Sequence, residues 1–156
     1  MSDVRSGRGR SRASAVLALA LLALALVGCG GQSEVRGDDY TIFVHGGSLL
    51  PRGGMDAEIE GTLTTRGACV LLQSSWSDIA FPVIWPAGTS IVSEHPLTLR
   101  LRSGEELTVG LVVSGAGGML QASWEGVEVH IPAECLPESG EVAVFNPDDN
   151  VSVVQP

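Results

Sequence analysis

Hydrophobic and polar positions keep two rhythms in this chain, and the change comes near residue 40. Upstream, Ala15 to Val27 is an almost unbroken Ala/Leu run. Downstream the period is two, the spacing at which successive strand side chains fall on opposite faces. Tyr40 to Val44 is a short β-rich run stopped by Gly46-Gly47. Ala57, Ile59, Gly61 and Leu63 alternate with Glu58, Glu60, Thr62 and Thr64, which predicts a half-buried strand. Arg66-Gly67 reads as a hairpin turn, and Ala68 to Leu72 as a returning strand buried on both sides. Ile79 to Trp85 is a further apolar stretch; Pro82 and Pro86 limit its ladder bonds, so an edge or bulged strand is expected.

The second half continues the pattern. Leu97 to Arg102 alternates, Ser103-Gly104-Glu105 turns, and Leu107 to Val113 runs back, the clearest hairpin in the chain. Ser114 to Gly118 reads as a loop. Met119 to Trp124 and Val127 to Ile131 predict another hairpin across Glu125-Gly126. Pro132 to Cys135 suits one helical turn, and Glu141 to Phe145 a last strand. Asn146 to Asp149 begins a tail, in which Val151 to Val154 could add a short strand. No amphipathic helical pattern of ten or more residues follows Cys29. Short strands at regular spacing with glycine turns predict an all-β fold. A small antiparallel β-barrel is favoured, because glycines supply its bends; a β-sandwich is the alternative.

The segment before residue 40 predicts location. Arg5, Arg8, Arg10 and Arg12 precede the apolar run, and positive charges are costly to translocate. A helix over Ala15 to Val27 would be about 20 Å long, against roughly 30 Å of bilayer hydrocarbon, so it suits a removable signal-peptide helix better than a permanent span. It ends in Leu26-Val27-Gly28-Cys29, which resembles the lipobox of bacterial lipoproteins. That resemblance implies diacylglyceryl transfer to the Cys29 sulfur, cleavage before Cys29, and usually acylation of the new amine. Two acyl chains anchor a protein stably where one holds marginally. The plainer alternatives are an ordinary signal peptide with a chance cysteine, and an uncleaved helix. Under the lipoprotein reading residues 1–28 are leader and residues 29–39 are the lipidated Cys29 and a flexible tether. That tether, small and polar, has a reach of about 17 Å, and residues 40–156 are one β domain. The protein is then expected on the outer face of the cell membrane, or on a membrane facing the periplasm.

Cleavage changes the charge. The leader takes Asp3 and four of the nine arginines, leaving five arginines against seventeen acids, a net charge of −12, with no lysine anywhere. Such a surface repels nucleic acid and anionic headgroups. Cleavage also settles the cysteine count: with Cys29 given to lipid, Cys69 and Cys135 remain, and an even pair in an oxidising compartment predicts a disulfide, two buried thiols being the alternative. The order Gly67-x-Cys69, Pro82-Val83-Ile84-Trp85-Pro86-x-Gly88-Thr89, Leu107-x-Val109-Gly110, Gly117-Gly118 and Pro132-x-x-Cys135 resembles small secreted β-domains of actinomycete-type bacteria. That group has no assigned activity; the resemblance implies the bridge and the barrel and carries over no site.

Candidate chemistry is thin. His45, His95 and His130 show neither His-x-x-x-His nor His-x-His spacing, so surface positions are expected and no metal site. Ser48, Ser74, Ser75 and Ser114 lie in loop-prone stretches without Gly-x-Ser-x-Gly. Ser114 to Gly118 could cradle a phosphate, but a β-like run follows it and no lysine is near. Asp148-Asp149-Asn150 lacks the rest of a calcium loop. Glu58 with Glu60, and Glu128 with His130, share strand faces; acid–base pairs are built so, and solvated strand faces far more often. Cys69 and Cys135 lack Cys-x-x-Cys spacing, which favours a structural role over a redox one. Trp76, Trp85 and Trp124 remain. Trp85 and Trp124, with His130, are the candidate ligand surface, since a tryptophan at a barrel mouth makes an apolar binding face; core filling is the commoner role for each.

These patterns lean away from an enzyme. They point to a membrane-anchored binding or envelope-structural module contacting an envelope protein or a small ligand, with no cofactor. The alternative is an envelope-associated hydrolase using Glu/His chemistry.

Overall fold

A computed structural model describes residues 32–46, 54–123, 130–148 and 151–154. The fold is all-β. Its strands are β1 (Gln32–Arg36), β2 (Thr41–His45), β3 (Ala57–Arg66), β4 (Cys69–Ser74), β5 (Ala80–Trp85), β6 (Ser90–Glu94), β7 (Leu97–Arg100), β8 (Glu106–Thr108), β9 (Val112–Gln121), β10 (Glu141–Phe145) and β11 (Ser152–Val153). One 3₁₀ turn, Ala133–Cys135, falls where a helical turn is expected. Among the described residues no helix is long and apolar enough to cross a membrane.

Strand pairing closes on itself. β4 pairs antiparallel with β3, β3 with β9, and β9 with β10; β10 pairs parallel with β5, and β5 antiparallel with β4. Where β4 and β5 diverge, β2 enters the fork: Thr41 lies opposite Cys69, and Phe43 and Val44 opposite Ile84 and Trp85. β1 pairs with the other edge of β2, and β11 with β9.

Two cores result, one on each face of the ring. Ile59, Leu63, Leu72, Val83, Trp85, Val113, Ala143 and Phe145, from all five ring strands, form one cluster. Leu97, Leu99, Leu101 and Leu107 join that cluster from the second sheet, β6-β7-β8. On the opposite face, Phe43, Cys69, Leu71, Ile84, Val142 and Val144 pack against Ile131, Cys135 and Leu136. Burial on both faces explains the unbroken apolar runs of β4, β5 and β10, while β3 alternates. The Cys69–Cys135 disulfide, with Cα atoms 5.6 Å apart, staples the 3₁₀ turn to the outer wall. Arg66 reinforces it, its Nη2 donating to the carbonyls of Glu134 (3.1 Å) and Cys135 (3.0 Å).

The β6-β7-β8 sheet closes one end of the ring. The amide of Leu63 donates to Leu111 O (2.9 Å) and that of Gly110 to Leu63 O (2.8 Å). Gly110 sits at φ +94°, the left-handed turn that lets the chain leave β8 and re-enter the ring as β9. The Glu94 carboxylate accepts the amides of Asp38 and Asp39, both at 2.7 Å, fastening the β1–β2 turn to this sheet.

Several expectations need correction. The stretch read as tether contains β1, because its five residues find a full partner register along β2. β5 is central, not an edge; its register with β10 begins at Val83, one residue past Pro82, so the proline removes no bond from that parallel pairing. Ser114 to Gly118 is strand, not loop. A Cβ on Gly117 would collide with the Val144 carbonyl oxygen, so the glycine serves close approach of β9 to β10. The return strand at Leu107 ends early, at Thr108. Asn146 begins no frayed tail. It is buried, its Oδ1 accepting the Met55 amide and its Nδ2 donating to Met55 O, both at 2.9 Å. Met119 to Gln121 complete β9 and pair with β10, while residues 124–129 of the expected second hairpin lie outside the described residues.

Candidate functional site

Among the described residues, the end of the ring away from the second sheet is left uncovered. The start of β3, the end of β4, the start of β5, the end of β9 and the start of β10 meet there around a hollow of about 280 Å³. That volume is at the low end of the roughly 300–1,000 Å³ typical of ligand pockets. Its floor is apolar, made by Ile59, Leu72, Phe81 and Ala143. Leu72 and Phe81 are opposite one another across β4 and β5, and Ala143 is opposite Met119 across β10 and β9, so the pairing register itself assembles the floor.

The rim is mixed. Trp76, on the bend between β4 and β5, lines the hollow and is 88% exposed. The bend is held by the Ser74 hydroxyl, which accepts the Trp76 amide (3.1 Å), and by Gln73, whose side-chain amide donates to Ser77 O (3.0 Å). Met119 is 41% exposed. Glu141 lines the hollow on the same strand face as Ala143, Glu58 and Glu60 border it from the face of β3 opposite Ile59, and none of its lining residues is basic. The Ser114 hydroxyl donates to Glu58 Oε1 at 2.8 Å. Apolar floor, exposed indole and acidic rim suit non-covalent binding. A nucleophile paired with a base is not among the lining residues.

The residues singled out from sequence are scattered. Trp85 does not reach the surface: it is 0% exposed, its ring centroid 5.4 Å from that of Phe145 with the planes tilted by 32°, because its place in β5 turns it into the core shared with Leu99 and Leu107. Trp124 lies outside the described residues, as do Cys29 and Glu128. His130 is exposed and follows the undescribed stretch. His45 is not on the surface. It is 4% exposed, and its Nε2 donates to Phe145 O at 2.6 Å. Its Nδ1 is buried without a hydrogen-bond partner among the described residues, and desolvation holds its pKa below 6.5, the Phe145 bond opposing this only in part. His95 is exposed, its Nε2 3.2 Å from Asp39. The three histidines are not brought together, and no group of metal-ligating side chains forms among the described residues.

Sequence reasoning flagged Trp76 but missed Leu72, Phe81 and Met119 as its neighbours. The available signal was position: each lies within three residues of a strand end facing the same opening. Only the ring closure shows that those ends coincide. No family model matches this chain, and no curated protein or solved structure matches it.

Proposed function

We propose that the protein is a lipid-anchored extracytoplasmic binding module, a compact β-barrel whose open end takes a small ligand. The observation that carries this reading is the hollow under Trp76. An indole 88% exposed at the mouth of an apolar floor is a large apolar surface that no described residue covers. The anchor rests on Leu26-Val27-Gly28-Cys29. In this reading the lipid on Cys29 holds the chain to the outer membrane face. Only Gly30 and Gly31 separate Cys29 from β1 in the sequence. The acidic surface disfavours nucleic acid.

Two measurements test the two halves. Metabolic labelling with a palmitate analogue is expected to mark the wild type and to be lost in Cys29→Ala; label that persists removes the anchor. A photo-crosslinking residue at position 76 is expected to give adducts in intact cells that the same residue at position 92 does not. Equal adducts from both sites count against the open end.

A further inference from the structure

We infer that the ligand of the open end is a small amphipathic cation, an ammonium or guanidinium group on a short apolar body. This rests on the open end being a binding site and adds the ligand's charge and size. The apolar floor of Leu72, Phe81 and Ala143 selects a hydrocarbon or aromatic body. Trp76 offers an exposed indole, the strongest aromatic partner for a cation. Glu141, on the same strand face as Ala143, lines the hollow with no arginine or histidine among its described neighbours there, so the charge complement is positive. An anion would meet the Glu141 carboxylate and no compensating positive charge. A neutral apolar body would fill the floor but dehydrate the Glu141 carboxylate without giving it a partner. The volume of about 280 Å³ limits the body to a few carbons and excludes a long acyl chain.

The test uses the full chain reconstituted in zwitterionic phosphatidylcholine vesicles, with empty vesicles subtracted. Calorimetric titrations compare hexyltrimethylammonium, 1-hexanol and 1-hexanesulfonate. The cation is expected to bind about tenfold more tightly than the alcohol, weakening as salt is raised, and the sulfonate least. Trp76→Ala is expected to weaken the cation about two- to fivefold. Glu141→Gln is expected to weaken the cation and flatten its salt dependence while leaving the alcohol unchanged. Both residues are peripheral, so unchanged melting temperatures establish that the variants are folded. Alcohol or sulfonate binding as tightly as the cation, with sensitivity to Trp76→Ala, overturns the charge assignment and leaves the open end as a binding site. Cation binding indifferent to both substitutions overturns the proposal by locating the cation elsewhere. Binding of none of the three probes to the wild type overturns the proposal together with the binding-site reading beneath it.

Discussion

At one end of the ring Leu63, Trp85 and Phe145 share a cluster with Leu99 and Leu107 of the second sheet. At the other, Trp76 and Met119 face solvent above Leu72 and Phe81. The same five strands make both ends, so strand composition does not explain the difference. The connections do. Between β5 and β9 the chain spends 26 residues (86–111) on a small sheet that covers the first end, whereas β4 and β5 are joined at the second by the short bend 75–79. One end therefore stores stability, and the other leaves apolar surface facing solvent.

The largest expected effect should leave that contrast intact. Replacing both Cys69 and Cys135 by serine opens a loop with sequence separation 66, worth about 4 kcal/mol in the chain-entropy model. Denaturant unfolding should show that loss, while affinity at the open end, where neither cysteine lies, stays constant. Next comes the capped end itself. Leu99→Ala, at a fully buried position, should cost about 3 kcal/mol in the same measurement. Met119→Ala at the open end should cost less than about 1 kcal/mol, because its side chain already meets solvent. Equal losses from the two would erase the distinction between the ends.

A smaller effect depends on pH. His45 packs beside Phe145 with its pKa lowered from 6.5 by desolvation. The unfolded chain therefore binds the proton more readily than the folded one, and stability falls as pH drops below 6.5 toward the folded value. Melting temperatures between pH 7 and pH 5.5 should decline in the wild type and less steeply in His45→Gln. Parallel curves would show that His45 does not control this window. The smallest effect is expected for Trp76→Ala, within about 0.5 kcal/mol of wild-type stability, because the indole makes little buried contact. Measurable destabilisation there would mean that the rim is structural after all.

Much of the scaffold was legible because period-two patterning is local. The alternation of β3, the β7–β8 hairpin, the doubly buried run of β4 and the single turn before Cys135 all follow from neighbouring residues. The errors share a cause. Ser114 to Gly118 looks like a loop until β3 and β10 press against it. Pro82 looks like an edge marker until the offset register with β10 is seen. Gln32 to Arg36 looks like a tether because nothing local tells a polar edge strand from a linker. In each case a partner strand distant in sequence decided the state.

By itself, the sequence determined the β class, the strong negative charge and the cysteine pair that the disulfide joins, since these depend on composition and short-range pattern. Tertiary structure alone decided which tryptophan is core and which stands at a rim. Trp85 and Trp76 both sit in or beside apolar strands, and an indole's burial depends on what the rest of the chain lays across it. The second sheet and the enclosed core cover Trp85. No described residue covers Trp76 to the same degree, and that difference in coverage, not residue type, defines the site.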